Sequence, residues 1–530
     1  MSRNNAVRFD DKALAKNIIF SVVTFALNMF ISFFITPYIT NRFGSDIYGY
    51  VKLANDFANY ASLFSIALNS MASRFIMLER TRGNQTAASE YFSSIGIANL
   101  ILAAIFMLPS ALCVYFLDSL FEVPALMVFE VKLTFALTFL NFLFQLVFSI
   151  FSNCYYITNT LYIRSLRQSQ ASILNVVTVL GLFLLFEDRI AYVVVGTLAA
   201  TVFTSAINYY YCRRLTPDLK FSLLNFRGKK VLEILSSGIW NSITQLSQIL
   251  TSGLDLLITN VFLGPVMMGY MSVAKTVPNV IISFNSTVGS VFCPNLMRLY
   301  AEEDTEGLKI AAKSAMRFMC LFVSIPNAIV FAMGGEFFQL WVPTEPTRML
   351  HILAILTIIN SCISGPMQPL YQIFTITNRV KENSVVMIIY GIVNIILVYI
   401  ALQLTNWGVY AVCGISLAGS LVVALGYHLP YIAKYAGLPK TSFFPEILKS
   451  VLSLLIVIGV GYGVKAFIDI SAGWLHWFAG AVVAAMIGFA VNFVIVLNKA
   501  EKKELYRKIS SKLGSITGRK EDEQGNTDNQ

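Results

Sequence analysis

Apolar runs about 20 residues long, the length that crosses a bilayer at 1.5 Å per residue, recur along almost the whole chain and are split by charged or Gly/Pro-rich breaks. They predict helices near 17–40, 47–73, 91–117, 127–153, 168–186, 190–212, 234–262, 266–292, 313–334, 347–373, 384–403, 407–433, 446–468 and 473–497, termed spans 1 to 14 in that order. The pattern therefore predicts an all-α integral membrane protein of about 14 transmembrane helices. Span 1 has no small-residue cleavage site, and Thr36, Pro37 and Tyr38 carry it on toward the next loop, so it reads as a retained helix and not a removed signal peptide. Beyond the last span, Leu505, Ile509, Leu513 and Ile516 form an apolar stripe among Lys502, Lys503, Arg507, Lys508 and Lys512, the pattern of a helix lying on an anionic leaflet.

Composition agrees: the chain is 56% hydrophobic and 13% charged over 530 residues, with a mean hydropathy of +0.67. Little sequence remains for a soluble catalytic domain. The net charge of +10 is a topology signal and not a nucleic-acid one. With the N-terminus inside, 32 of the 39 basic residues fall in cytoplasmic segments and helix ends, and only Arg42, Lys132, Arg189, Arg348 and Lys465 fall outside. Lys52 and Lys275 lie within spans. Both termini are thus expected in the cytoplasm. The seven cysteines are scattered singly, and His351, His428 and His476 sit near helix ends, so no metal site or general base is suggested, and no cofactor is expected.

The chain repeats itself. Phe43-Gly44-Ser45-Asp46-Ile47-Tyr48-Gly49-Tyr50 after span 1 matches Leu263-Gly264-Pro265-Val266-Met267-Met268-Gly269-Tyr270 after span 7 at an offset of 220. Within three residues the same shift pairs Pro109 with Pro326, Leu120–Pro124 with Leu340–Pro343, and Ile157-Thr158-Asn159 with Ile376-Thr377-Asn378. Both halves start in the cytoplasm and hold six helices, so the repeats are parallel, related by an axis along the membrane normal. The predicted organisation is a cytoplasmic segment 1–16, a six-helix lobe 17–212, a basic cytoplasmic linker 213–233, a second six-helix lobe 234–433, an extra helix pair 446–497 and a cytoplasmic tail 498–530.

Four spans carry polar faces at helical spacing. Span 1 shows Asn17, Ser21, Thr24 and Asn28; span 2 shows Lys52, Asn55, Asp56, Asn59, Ser62, Ser65, Asn69 and Ser70. Span 7 answers with Ser237, Asn241, Thr244, Gln248, Thr251, Ser252, Asp255 and Thr259, and span 8 with Ser272, Lys275, Thr276, Asn279, Ser283 and Ser286. Polar side chains find no partner in lipid, so these faces must meet protein or water. Interhelical hydrogen bonding is one reading. A hydrated lumen lined by Asn28, Lys52, Asn55, Asn59, Gln248, Lys275 and Asn279 better explains why the faces are long and recur in both halves. Asp56, one turn from Lys52, is read as its ion-pair partner or as a coupling carboxylate. Asp255 has no partner apparent in the sequence and is the stronger coupling candidate. Lys52 could also snorkel to the interface, and Arg74 and Arg298, at the cytoplasmic ends of spans 2 and 8, could be plain positive-inside anchors.

The Gly44-Ser45-Asp46-Ile47-Tyr48-Gly49 loop and the six-plus-six-plus-two plan resemble the Wzx-type polysaccharide-biosynthesis (O-antigen or capsule) flippases, relatives of the multidrug and toxin extruders and of the lipid II flippases. The resemblance covers essentially the whole chain. It implies a non-enzymatic transporter with an extruder-like fold in a bacterial inner membrane, moving an isoprenoid-pyrophosphate-linked oligosaccharide to the outer leaflet by alternating access. Proton or sodium coupling, membrane lipids, and glycosyltransferase or polymerase partners go with it. On this reading Lys52 and Lys275, and at the cytoplasmic mouth Arg74 and Arg298, are candidate partners for the pyrophosphate. The alternative is a cation-coupled extruder of drugs or metabolites on the same fold.

Overall fold

The computed structural model describes residues 11–503, apart from 159, 291, 378 and 500. The described residues form helices and connecting turns, with no strand among them. Twelve stretches among them are long and apolar enough to cross a membrane, against the fourteen expected. One source of the difference is local. Span 8 is broken at Lys275: its remainder, Thr276–Ser290, is only 15 residues, and its first part runs on from span 7 in a single 47-residue stretch, Gly228–Ala274, which at 1.5 Å per residue would be about 70 Å long, more than twice a hydrocarbon core. Gly264 breaks it, with φ 84° and ψ 174° inside Asp255–Ala274. The other missing span is the first, which lies within the helix Asp11–Phe43. The last two spans are found at Phe444–Phe467 and Trp474–Ile495.

The repeat has a backbone signature. Gly44, which precedes the helix Ser45–Asn69, has φ 90° and ψ 158°, nearly the geometry of Gly264 at the matching position. A side chain at positive φ is costly, which gives both positions a reason to be glycine.

Contacts gather the chain into two units. The first holds residues up to Val280, with Phe338–Thr357 and Asn378–Val423. Within it Ser45–Asn69 packs on both Gly228–Gln248 and Asp255–Ala274. The approach is close because it is made through small residues: a Cβ on Gly49 would lie 3.2 Å from Gly269 Cα, and one on Gly269 would lie 2.5 Å from the Ser45 carbonyl. Gly49 and Gly269 are repeat-related, so the two equivalent helices touch through equivalent residues, as expected on a pseudo-twofold axis. Gly238 meets the Ala67 carbonyl in the same way.

The second unit holds Ile281–Phe337, Ile358–Thr377 and the chain from Ala424 onward. Its core includes Met316, Met367, Leu370, Phe374, Leu429 and Phe443. The extra pair docks on Thr305–Trp341 by polar contacts that a lipid-facing surface could not satisfy: Trp477 Nε1 donates to the Met333 carbonyl at 3.2 Å, Lys465 pairs with Glu336 at 2.6 Å, and Asn492 bonds both Ser324 and Ser453. The expected amphipathic stripe Leu505 to Ile516 lies outside the described residues.

Candidate functional site

Span 2 begins at Ser45, directly after the Gly44 turn, which places Lys52 about two turns into the helix Ser45–Asn69. Its ammonium lies 5.2 Å from the centre of the Tyr48 ring, one turn back, and the Tyr48 hydroxyl is held by Thr36 of the first helix at 3.1 Å. Lys52 therefore leans on an aromatic face. It forms no ion pair with Asp56 within 4 Å among the described residues, which corrects the pairing read from their spacing; the shorter route for the lysine stem is back along the helix to Tyr48.

The second correction concerns Asp255. It is not partnerless: Lys275 Nζ donates to its carboxylate, with the two side chains only 14% and 8% exposed. The partner is hidden in the sequence because it lies 20 residues on, across the Gly264 turn. Asp255 precedes that glycine by about 14 Å of helix and Lys275 follows it by about 16 Å, so the two arms of the hairpin meet at equal depth. Asp56, half-buried on Ser45–Asn69, lies within electrostatic reach of Lys275, Lys52 and Asp255. It makes no ion pair within 4 Å among the described residues.

Local backbone breaks shape this cluster. Just before Asp255 the helix widens into a π turn, Ile249–Gly253, with Leu254 N–H bonding the Ile249 carbonyl at 3.1 Å. The wider turn frees carbonyls for side chains. Tyr60 donates to that of Gly253, and Asn394 Nδ2 reaches that of Thr251 at 3.4 Å. After Lys275, Pro278 removes the N–H that would bond the Ala274 carbonyl, and the helix is interrupted between Ala274 and Thr276. Tyr390 and Cys413 lie within electrostatic reach of Asp255; with Tyr60 and Asn394 they belong to the site and were not singled out from the sequence, where Tyr48 stood only as part of the loop motif. For Tyr390 and Asn394 a signal existed: two polar groups one turn apart in an otherwise apolar run.

The polar faces divide between two uses. Part of each is interhelical glue. In span 1, Thr24 bonds Ser169 at 2.9 Å and the Ser165 carbonyl at 3.0 Å, and Asn28 accepts from Ser172 at 2.7 Å, all on Leu161–Leu185. Asn241 donates to Ser70 at 3.0 Å, Asn69 to Asn99 at 3.0 Å, and Thr244 shares a hydrogen bond with Ser384 at 2.9 Å. Other members are exposed: Asn28, Asn55, Asn59, Gln248 and Asn279. Asn55 spends one N–H on its own helix, on the Val51 carbonyl at 2.8 Å, and keeps its other groups for solvent or ligand. Exposed amides on membrane spans require water. Arg74 is exposed in the first unit. Arg298, in the second, is exposed and bonds Glu302 at 3.5 Å and Asn295 at 3.3 Å.

The chain is 27% identical over 505 residues to the uncharacterized membrane protein EpsK of Bacillus subtilis (strain 168), covering 94% of this chain and 98% of that protein. Among solved structures it resembles the lipid II flippase MurJ in an inward closed conformation, with TM-score 0.63 and 14% identity over 90% of this chain and 98% of that one. It also resembles a multidrug resistance MATE family transporter in an inward-facing conformation, with TM-score 0.62 and 14% identity over 79% and 99%. The fold is therefore the one those two solved proteins share, in a chain with twelve stretches among its described residues long and apolar enough to cross a membrane. Residues 14–300 match the family described as polysaccharide biosynthesis protein, and the chain belongs to that family.

Proposed function

We propose that this protein flips an isoprenoid-pyrophosphate-linked oligosaccharide from the cytoplasmic to the outer leaflet of a bacterial inner membrane by alternating access, in the assembly of a surface polysaccharide. A sugar head group cannot shed its hydrogen bonds to cross hydrocarbon. It needs a wet path lined by amides and hydroxyls while its lipid tail stays in the bilayer. The observation that carries this reading is the set of exposed amides, Asn55, Asn59, Gln248 and Asn279, on the same spans as the cations Lys52 and Lys275, in a chain of a polysaccharide-biosynthesis family.

The two lysines serve the pyrophosphate. Lys52, propped by Tyr48, and Lys275, paired with Asp255, are cations inside spans, where a fixed positive charge is expensive unless it has an anion to meet. Arg74, at the end of span 2, and Arg298, at the end of span 8, are further cations for the anion, each taken by itself. Asp56 is the carboxylate left to couple flipping to a cation gradient. The basic segments hold both termini in the cytoplasm.

The test is to neutralise Lys52 and Lys275 together by Lys→Gln in the native host and to measure surface polysaccharide and membrane levels of the protein. Loss of polymer with normal protein is the expected result. Full polymer in the double variant refutes the role of the lysines.

A further inference from the structure

The repeat is broken where the charges lie. Shifting by 220 sets Asp255 against Ile35, Lys275 against Asn55, Lys52 against Ser272 and Asp56 against Thr276. Of the two repeat-related hairpins, only that of spans 7 and 8 is stapled by an ion pair between its own arms among the described residues. That pair is almost dry, and it engages one of the two lysines assigned to the substrate. We propose that Asp255 is a built-in stand-in for the substrate's diphosphate: it occupies Lys275 in the unloaded protein, and an incoming diphosphate displaces it.

The inference rests on the flippase reading of the lysines and adds how the site is kept closed when empty. A buried lysine with no anion beside it would be costly, so an unloaded site needs an internal one. Two arms joined at the Gly264 turn and held together at equal depth resist separation. When the diphosphate takes the ammonium, Asp255 is left as a buried carboxylate without its cation. Asp56 and Tyr60 face it from Ser45–Asn69, with Lys52 one turn away from Asp56; Tyr390 faces it from Val380–Leu404 and Cys413 from Val409–Val423. Lys52 is held against Tyr48, so among the described residues no second cation is in place to take over. The balance closes by uptake of one solvent proton on the Asp255 carboxylate, while Lys275 keeps its own and pairs with the diphosphate. Substrate binding is then linked to proton uptake through a residue that never touches the substrate.

Full-length protein in detergent is titrated with inorganic pyrophosphate as wild type, Asp255→Asn, Lys275→Gln and Lys52→Gln. Asp255→Asn should bind about tenfold more tightly, because the competitor is gone, and Lys275→Gln should lose most of the affinity. If Asp255→Asn binds no more tightly while the lysine variants bind weakly, the displacement is refuted and the flippase reading stands. If both lysine variants bind like wild type, the anion site itself is wrong. Farnesyl diphosphate run beside pyrophosphate separates a lipid-borne from a free diphosphate, tighter binding of the prenyl compound supporting the lipid. Should Asp255→Asn fail to fold, the unmodified protein still decides. Sulfate stays doubly charged across neutral pH, so its affinity should fall by up to tenfold per pH unit as pH rises, from the linked proton. Sulfate affinity that is independent of pH, or absent, overturns the proposal.

Discussion

Arg317 offers the sharpest stability test. Its guanidinium lies 2.9 Å from Glu446 and 3.0 Å from Glu501, and the three side chains are 11%, 5% and 9% exposed. At an effective dielectric of about 20, each contact at this range is worth roughly 5 kcal/mol of gross attraction, offset by the desolvation of both partners. Removing only the arginine forfeits the attraction and keeps the desolvation of two carboxylates. Arg317→Met should therefore cost about 3–5 kcal/mol. Lys449, 3.5 Å from Glu446 but 48% exposed, can compensate little. Removing all three charges together, as Arg317→Met with Glu446→Gln and Glu501→Gln, should return most of the loss. The assay is equilibrium unfolding of the purified protein in mixed micelles of increasing SDS fraction, followed by circular dichroism. Two outcomes refute the reasoning: a single variant as stable as wild type, or a triple variant no better than the single, which would mean that the arginine acts through its packing and not its charge.

Gly269→Ala should destabilise the protein by about 1–3 kcal/mol, because its new methyl would meet the Ser45 carbonyl and Asp46 N at 2.5–2.6 Å, whereas Gly49→Ala meets first the flexible Met268 methyl at 2.9 Å and should cost less; the same SDS titration ranks them, and an inverted order would refute the axis contact. Single cysteines at Asn59, Gln248 and Asn279 should react with membrane-impermeant thiol reagents, whereas one at Ile389 or Ile396, on the apolar exposed surface, should not; equal labelling would remove the wet path. Burial raises the carboxyl of Glu345, in the loop before Thr347, above the ordinary glutamate value, with the Ser45 hydroxyl at 3.0 Å partly opposing the shift. The folded state thus holds this proton more tightly than the unfolded chain, so its stabilising contribution is full below the unfolded pKa and is lost as pH rises through the folded one. Glu345→Gln should flatten the fall of the melting temperature across that window, and an unchanged slope would count against it.

Most of the helical plan was legible because hydrophobic length is a local property. A run such as 446–468 needs no knowledge of its neighbours, and the helix found is Phe444–Phe467. The Gly44 and Gly264 turns were legible for the same reason, since a glycine at matched positions of a repeat marks a backbone that other residues resist. Helical spacing, however, tells which side of its own helix a residue takes and not which neighbour stands there. The face of span 1 was correctly polar, yet Thr24 and Asn28 bond Leu161–Leu185. Lys52 and Asp56 shared a face and spacing suited to pairing, yet the lysine went to Tyr48.

The Asp255–Lys275 pair was missed for a related reason, and that reason bears on function. At an offset of 220 Asp255 falls against the apolar Ile35 and Lys275 against the uncharged Asn55, and a search for symmetry discards such mismatches as noise. On the proposed reading, a transporter built from two repeated halves needs some element that is not equal if its loaded and empty states are to differ in which hairpin is held shut. The two glycines, Gly49 and Gly269, keep the halves in register at the axis. The ion pair about 15 Å along the hairpin arms gives one half a contact that the other cannot make. Because a buried ion pair gains little net stability over an apolar replacement but is expensive to break by halves, it is poorly suited to strengthening a scaffold and well suited to a contact whose partner is exchanged. Replacing both residues with their repeat counterparts, Asp255→Ile with Lys275→Asn, separates these roles. The doubly substituted protein should unfold at nearly the wild-type SDS fraction while surface polysaccharide falls sharply. A large loss of stability with the same loss of polymer would instead make the pair a structural staple.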